Sequence, residues 1–197
     1  MGFVQMKKLE TEEVIKIYKE KLVIDFPPEE QKPLSVIISL MKQELYFCYG
    51  LIDDFELVAY AFFAKAEGYR DILIDYLAVS ASTRGKGYGS QFLTLMKEEL
   101  KEYDSIIFEV ESGKSAQTSE EIVSCQKRLD FYHKNGLVNS SLRLSLFEID
   151  MMLLYLPLRK APSDEVIENV LNYIYDEFYG LEVHKDKVIV YKSNKIY

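Results

Sequence analysis

The chain is short of the residues that build stapled or metal-bound proteins. Only two of its 197 residues are cysteines. Cys48 and Cys125 stand in apolar surroundings, with no CxxC and no Cys/His ligand spacing, which argues against a disulfide framework and a zinc site. Positive charge is short as well: Lys+Arg number 24 against Asp+Glu 32, a net charge of −8. No basic patch dominates such a count, so no nucleic-acid partner is expected. The acidic balance suits a cationic or amine-bearing ligand, and a solvated acidic surface explains it equally well. Long apolar runs are also missing. Stretches such as "LVAYAFFA" and "MMLLYL" are far too short to span a bilayer. The start, "MGFVQMKKLE", has no apolar signal region, and Met6 stands where a myristoylation signal wants Ser or Thr. The expectation is a cytoplasmic protein with no membrane partner.

What is present is globular composition, 48% hydrophobic and 28% charged, in a length that suits one domain. Residues 1–197 read as a single domain, a core over 1–156 with a helix-strand extension over 157–197. "GFVQM" reads as a first strand. "TEEVIKIYKEKL" places Val14, Ile17, Tyr18 and Leu22 at helical spacing behind a Thr11 N-cap. After Pro27-Pro28 a second helix is expected from about Leu34. "ELYFCYGLIDDFELVAYAFFAKAEG" reads as a hairpin turning at Asp53-Asp54, and "DILIDYLAVS" as a further strand. A helix follows with Tyr88, Phe92, Leu95, Met96, Leu100 and Tyr103 on one face. "SIIFEV" reads as a buried strand. Thr118 and Glu121 form a capping box for the next helix, whose stripe runs Ile122, Cys125, Leu129, Tyr132 and stops at Gly136. "LRLSLFEIDMMLLYLPL" reads as one or two strands. Pro162-Ser163 opens a helix with Val166, Ile167, Val170, Leu171, Ile174 and Phe178 on one side, ended by Gly180, and "KVIVYK" closes the chain as a strand. The succession predicts a mixed α/β sheet protein.

Between the strand "DILIDYLAVS" and its helix lie Gly85, Gly87 and Gly89, three glycines in five residues. A strand that turns through glycines into a helix N-terminus offers unpaired N–H donors and the positive end of the helix dipole to an anion. Glycine removes the Cβ that would hold a pyrophosphate away from those donors. The P-loop pattern fails because Lys86 is followed by Gly87 rather than Ser or Thr. The dinucleotide fingerprint GxGxxG fails because its third position is Ser90.

The stretch Arg84-Gly85-Lys86-Gly87-Tyr88-Gly89 does fit (Arg/Gln)-x-x-Gly-x-(Gly/Ala), four residues after "LAV" on a strand. This resembles the GCN5-related N-acetyltransferase family, over about Ile72 to Tyr103. "RLDFYHKNGL" resembles the family's later helix signature, and element order agrees from about residue 3 to 155. The resemblance implies an acyl-CoA N-acyltransferase-like fold with a mixed, mostly antiparallel central sheet flanked by helices. It implies acetyl-CoA as co-substrate, no metal, and direct attack by a primary amine without a covalent enzyme intermediate. Backbone of Leu77, Ala78 and Val79 would hold pantetheine, with the Val79 N–H polarising the thioester carbonyl. Main-chain donors of Arg84, Gly85, Lys86, Gly87, Tyr88, Gly89 and Ser90 would cradle the pyrophosphate.

The same resemblance makes Tyr132 the acid for the CoA thiolate, its phenol keeping its proton at neutral pH. A tyrosine packed on an apolar stripe is the structural alternative. Asp75, on the strand face of Leu77 and Val79, is the candidate base. Glu109 and Glu111 share a face of the next strand and would hold the amine through water. Each of the three is also readable as a solvated or orienting carboxylate. Two departures stand out: the loop "ESGKSAQTSEE" lacks the asparagine that many relatives carry there, and the tail from Pro157 lies beyond the motifs. That tail is expected to pack on the sheet, to cover the acceptor cleft or to build a homodimer interface. His133 reads as a surface histidine near a helix end, His184 as an exposed turn residue, and Cys125 as a structural thiol. The expected acceptor is a small-molecule amine. A protein lysine is a rival acceptor, and a non-catalytic acyl-CoA-binding or sensing module is the alternative from another class.

Overall fold

The computed structural model describes residues 4–114, 116 and 118–193. They form β1 (Val4–Lys8), α1 (Thr11–Ile17, running on through a π turn at Tyr18–Leu22 and a short turn at Val23–Asp25) and α2 (Leu34–Lys42). Then come β2 (Tyr46–Asp53), β3 (Glu56–Lys65), β4 (Asp71–Val79), α3 (Tyr88–Glu99), β5 (Ser105–Glu111) and α4 (Ser119–Lys134). The chain closes with β6 (Val138–Leu146), β7 (Ile149–Pro157), α5 (Asp164–Tyr179), α6 (Leu181–Lys187) and β8 (Val188–Lys192). The strands make one eight-stranded sheet in the order β1-β2-β3-β4-β5-β7-β6-β8. The pairs β1/β2, β2/β3, β5/β7, β6/β7 and β6/β8 are antiparallel, so the sheet is mostly antiparallel as expected.

The chain divides into two compact units. The first comprises the described residues up to Lys65 together with Ile74–Leu100, and the second Ala66–Leu73 with the described residues from Lys101 onward. In the first unit the hairpin turns at Asp54 and Phe55, both at positive φ (45° and 70°), the geometry of a tight two-residue turn. Residues 58–64 of β3 are buried without interruption, and Phe63 stacks on Phe47 at 5.1 Å. A strand covered on both faces reads as a continuous apolar run, which is what "LVAYAFFA" is. Val14, Ile17 and Leu22 bury the inner side of α1 and its π turn. The N-cap of α1 is Glu10, not Thr11: the Glu13 carboxylate accepts the Glu10 N–H at 3.1 Å, and Thr11 is already helical. Of the expected first strand, Gly2 and Phe3 lie outside the described residues.

In the second unit β5 separates two helices. Phe108 meets Tyr132 of α4 at 5.4 Å between ring centroids, while Glu109, the next residue, meets Tyr175 of α5. Alternate residues of a strand point to opposite faces, so α4 and α5 cover opposite faces of this part of the sheet. The Thr118–Glu121 capping box is present, with the Glu121 N–H given to Thr118 Oγ1 at 3.2 Å. The expected stripe of α4 is shorter than its spacing implied. Ile122 is exposed in the first turn, and burial begins at Cys125 and Leu129. "LRLSLFEIDMMLLYLPL" is two strands, turning at Phe147 and Glu148, again both at positive φ. α5 opens at Pro162-Ser163 as expected, with Ser163 as an N-cap that accepts from the Val166 N–H, and it buries Tyr175 in addition to most of the predicted stripe.

His184 is a correction. It is not an exposed turn residue but a buried member of α6, 7% exposed, with Nδ1 2.5 Å from Asp176 Oδ1. A second short helix, α6, starts right after the Gly180 stop, which carries φ +78°, and folds the imidazole back onto α5. No helix among the described residues is long and apolar enough to cross a membrane.

Candidate active site

In the first unit, β4 hands the chain directly to the glycine loop. Ile74, Tyr76 and Ala78 point to the buried side of the strand, whereas Leu77 and Val79 are only half-buried. After Val79 the loop is pinned from inside: Ser80 N–H donates to Val58 C=O at 2.9 Å and Thr83 Oγ1 to Ser80 C=O at 2.9 Å. Gly85 and Gly87 take φ +80° and +90°, the left-handed region that L-residues rarely adopt. An added Cβ at either would meet nothing within 4 Å, so it is the torsion that calls for glycine there. Gly89 differs in kind, lying inside the first turn of α3. The first closing bond of that helix runs from Gln91 N–H to Gly87 C=O at 3.0 Å. The N–H groups of Tyr88, Gly89 and Ser90 precede it, which is the donor set an anion would meet.

Arg84 and Tyr88 brace this loop from its two ends. Arg84 Nε donates to Val79 C=O at 3.2 Å, and its Nη2 lies 3.8 Å from Asp25 Oδ1 at the end of the α1 extension. The Tyr88 hydroxyl donates to Asp53 at the end of β2. That hydrogen bond comes first among the causes that push the Tyr88 phenol up.

Asp75, expected as the base, is a buried carboxylate with 4% of its side chain exposed. Lys32 Nζ lies 2.6 Å from its Oδ1, and the Tyr46 hydroxyl donates to Oδ2 at 2.5 Å. Burial first, and the Asp75 charge second, push the Tyr46 phenol and the Cys48 thiol well up, so both stay neutral beside it. Neither Lys32 nor Tyr46 had been singled out from the sequence. Lys32 sits in "PPEEQKP", which reads as a charged connector, and nothing local reveals a partner 43 residues away.

In the second unit, Tyr132 lies in the last turn of α4, its ring between Phe108 and Phe131, each at 5.4 Å. Burial pushes its phenol up, with the nearby Arg128 opposing. The hydroxyl therefore stays protonated through neutral pH and well beyond. Glu109 is half-buried and takes the Tyr175 hydroxyl on both oxygens, at 2.8 and 2.7 Å. Glu111 is half-buried at the end of β5. Tyr175 is a site neighbour that sequence reading missed, although its place four residues after Leu171 puts it on the α5 stripe. His133 is exposed and its Nε2 lies 2.9 Å from Asn139 Oδ1.

Comparison with known proteins gives the family and the fold. A model of the acetyltransferase (GNAT) family matches residues 11–118. The curated protein YjbC of Bacillus subtilis (strain 168), which carries the name of an acetyltransferase, is 26% identical over 185 residues, covering 86% of this chain and 90% of its own. Among solved structures, a GNAT-family acetyltransferase from Bacteroides thetaiotaomicron superposes with a TM-score of 0.70 at 19% identity. It covers 90% of this chain and 99% of that one. A Bacillus subtilis acetyltransferase in complex with CoA gives a TM-score of 0.56 at 20% identity, over 79% of this chain and 99% of that one.

Proposed function

The chain belongs to the acetyltransferase (GNAT) family, and from that premise we propose that it moves an acetyl group from acetyl-CoA to the primary amine of a small molecule. The observation that carries the reading is the loop from Arg84 to Ser90. Two glycines at positive φ lead straight from β4 into the unpaired N–H groups of α3. Those donors and the helix dipole cradle the CoA pyrophosphate. Backbone of Leu77, Ala78 and Val79, on the half-open edge of β4, holds pantetheine, and the Val79 N–H polarises the thioester carbonyl. We read the whole chain as one such domain, core 1–156 with 157–197 appended.

In this reading the amine nitrogen attacks the thioester carbon, the C–S bond breaks, and the leaving thiolate takes the Tyr132 proton. A phenol raised by burial is a weak acid, but a thiolate whose conjugate acid lies near ~8.5 is basic enough to draw from it in the transition state. The proton lost by the amine goes to Asp75, whose carboxylate uses one acceptor position on each oxygen for Lys32 and Tyr46 and keeps others. Glu109 and Glu111 attract the acceptor's positive charge.

The test combines binding with turnover. Acetyl-CoA at 100 times its Kd stabilises the fold by about 2.7 kcal/mol, read as a rise in Tm, and no rise at saturation refutes the cofactor assignment. Thiol release is then screened against polyamines, amino acids, aminoglycosides and lysine peptides. CoA binding without release across that panel favours a sensing module instead. Tyr132→Phe is expected to keep acetyl-CoA affinity while lowering turnover by about 10²-fold, and unchanged turnover removes Tyr132 as the acid.

A further inference from the structure

The connector between α1 and α2 holds a charged residue where its sequence reads as solvated loop. Lys32 is only 8% exposed. Its main chain is fastened on both sides: the N–H donates to Tyr76 Oη at 2.8 Å, and the C=O accepts the Tyr18 hydroxyl at 2.8 Å. The Tyr76 hydroxyl in turn donates to Glu30 C=O at 2.7 Å. From this anchored backbone the side chain delivers Nζ to Asp75 Oδ1 at 2.6 Å and passes over the Tyr76 ring, 5.3 Å from its centroid.

Such a pair is a poor device for stability. Desolvating an ammonium and a carboxylate offsets most of their attraction, and two apolar side chains of similar volume commonly serve a core as well or better. What an ion pair supplies and an apolar pair cannot is a fixed negative charge. The titratable groups facing Asp75 are Lys32 from the connector and Tyr46 and Cys48 from β2, while Tyr76, on the other face of β4, meets Lys32. Lys32 supplies the positive charge among them.

We propose that Lys32 is a positioning residue for acetyl transfer, holding the Asp75 carboxylate in one orientation, against a fixed positive charge, for the incoming amine. The inference rests on the reading of Asp75 as proton acceptor. Lys32 touches no reacting atom in this account; it acts through Asp75. Tyr46 fixes the other oxygen, so rotation of the carboxylate is stopped from two sides. A 1 Å misplacement of such a group costs on the order of 10²-fold in rate.

The experiment measures kcat and KM separately for Lys32→Ala, Lys32→Gln and Asp75→Asn, with acetylated product quantified by mass. Lys32→Ala is expected to lose about 10²-fold in kcat and to leave KM for acetyl-CoA near its wild-type value. Trimethylammonium, which has one N–H to give to Asp75 and cannot carry a stable acetyl group, is expected to restore most of that loss. The neutral alcohol 2-propanol is expected to restore none. Lys32→Gln keeps a hydrogen-bond donor without charge and carries the test if the alanine variant does not fold; it too is expected to lose kcat. Wild-type kcat in Lys32→Gln, or an alanine defect that the cation leaves unrestored, overturns the inference. Asp75→Asn separates the two layers: wild-type turnover there refutes Asp75 as acceptor, whereas an inactive Asp75→Asn beside an active Lys32→Gln refutes the role of Lys32 alone.

Discussion

Two carboxylates, Asp75 in the first unit and Asp150 in the second, are each held by a cation and a tyrosine, yet they differ in how fully they are held. Asp150 is saturated. Arg143 grips both its oxygens, with Nε 3.0 Å from Oδ1, while Ser112 and Tyr191 give it their hydroxyls and Lys114 lies at 3.8 Å. These donors come from β6, β8 and the loop after β5, so the carboxylate ties three segments together. Asp75 takes one ammonium and one phenol, on a strand whose outer positions remain half-open. A fully subscribed carboxylate is a fastener; Asp75, though the more buried of the two at 4% against 18% side-chain exposure, has fewer donors on it, which is why it is the one we propose for proton transfer.

The sharpest way to break that contrast is to neutralise each in turn. Asp75→Asn is expected to lower turnover by about 10²–10⁴-fold, the span of general acid–base catalysis. Asp150→Asn is expected to leave turnover within a few-fold and to lower Tm instead. Assay and thermal unfolding of both variants check this, and a large turnover loss in Asp150→Asn would erase the distinction.

A second, smaller effect follows from acid. Burial alone would raise the Asp150 carboxyl, but hydrogen bonds from Arg143, Ser112 and Tyr191 outweigh it and hold it well below the usual carboxylate range. A depressed folded-state value means its stabilisation is fully present above the unfolded pKa of about 4 and is lost as pH falls below that. Hydrogen-exchange protection at β8, taken relative to the intrinsic rate at each pH, is therefore expected to fall below about pH 4 in the wild type, and Asp150→Asn to flatten that dependence. The smallest expected effect is Tyr175→Phe, which removes the hydroxyl from Glu109 and is expected to cost about 1.5–3 kcal/mol, the range for a hydrogen bond to a charged group, in denaturant unfolding. Should acceptor KM rise while acetyl-CoA KM stays fixed, the tail would be serving Glu109 rather than merely covering it.

What the sequence disclosed divides along the same line as local and distant interactions. The glycine loop, the Thr118–Glu121 cap, the hairpin turn (expected at Asp53-Asp54, found one residue on at Asp54-Phe55) and the stripe of α5 are set by residues within a few positions of one another, and each was legible to within a residue. So was the strand succession, because burial period and turn residues are local properties. The long-range side-chain pairings are not. Lys32 meets Asp75 across 43 residues and Tyr175 meets Glu109 across 66. No spacing rule connects such positions; only the folded sheet brings them together. His184 was misread for the same reason, its burial depending on a short helix that turns it back onto Asp176 and Tyr175. Ile122 fails from the other side, since a correct helical face says nothing about where the surface it covers begins.

The loop at Gly87 carries one more consequence. With open space around the place a side chain would occupy and a φ of +90°, the backbone there selects for handedness rather than for smallness. Size is then the wrong ruler for what this position tolerates. Asparagine, larger than alanine but more at ease in the left-handed region, is the less disruptive replacement, so the cradle screens its residues by chirality.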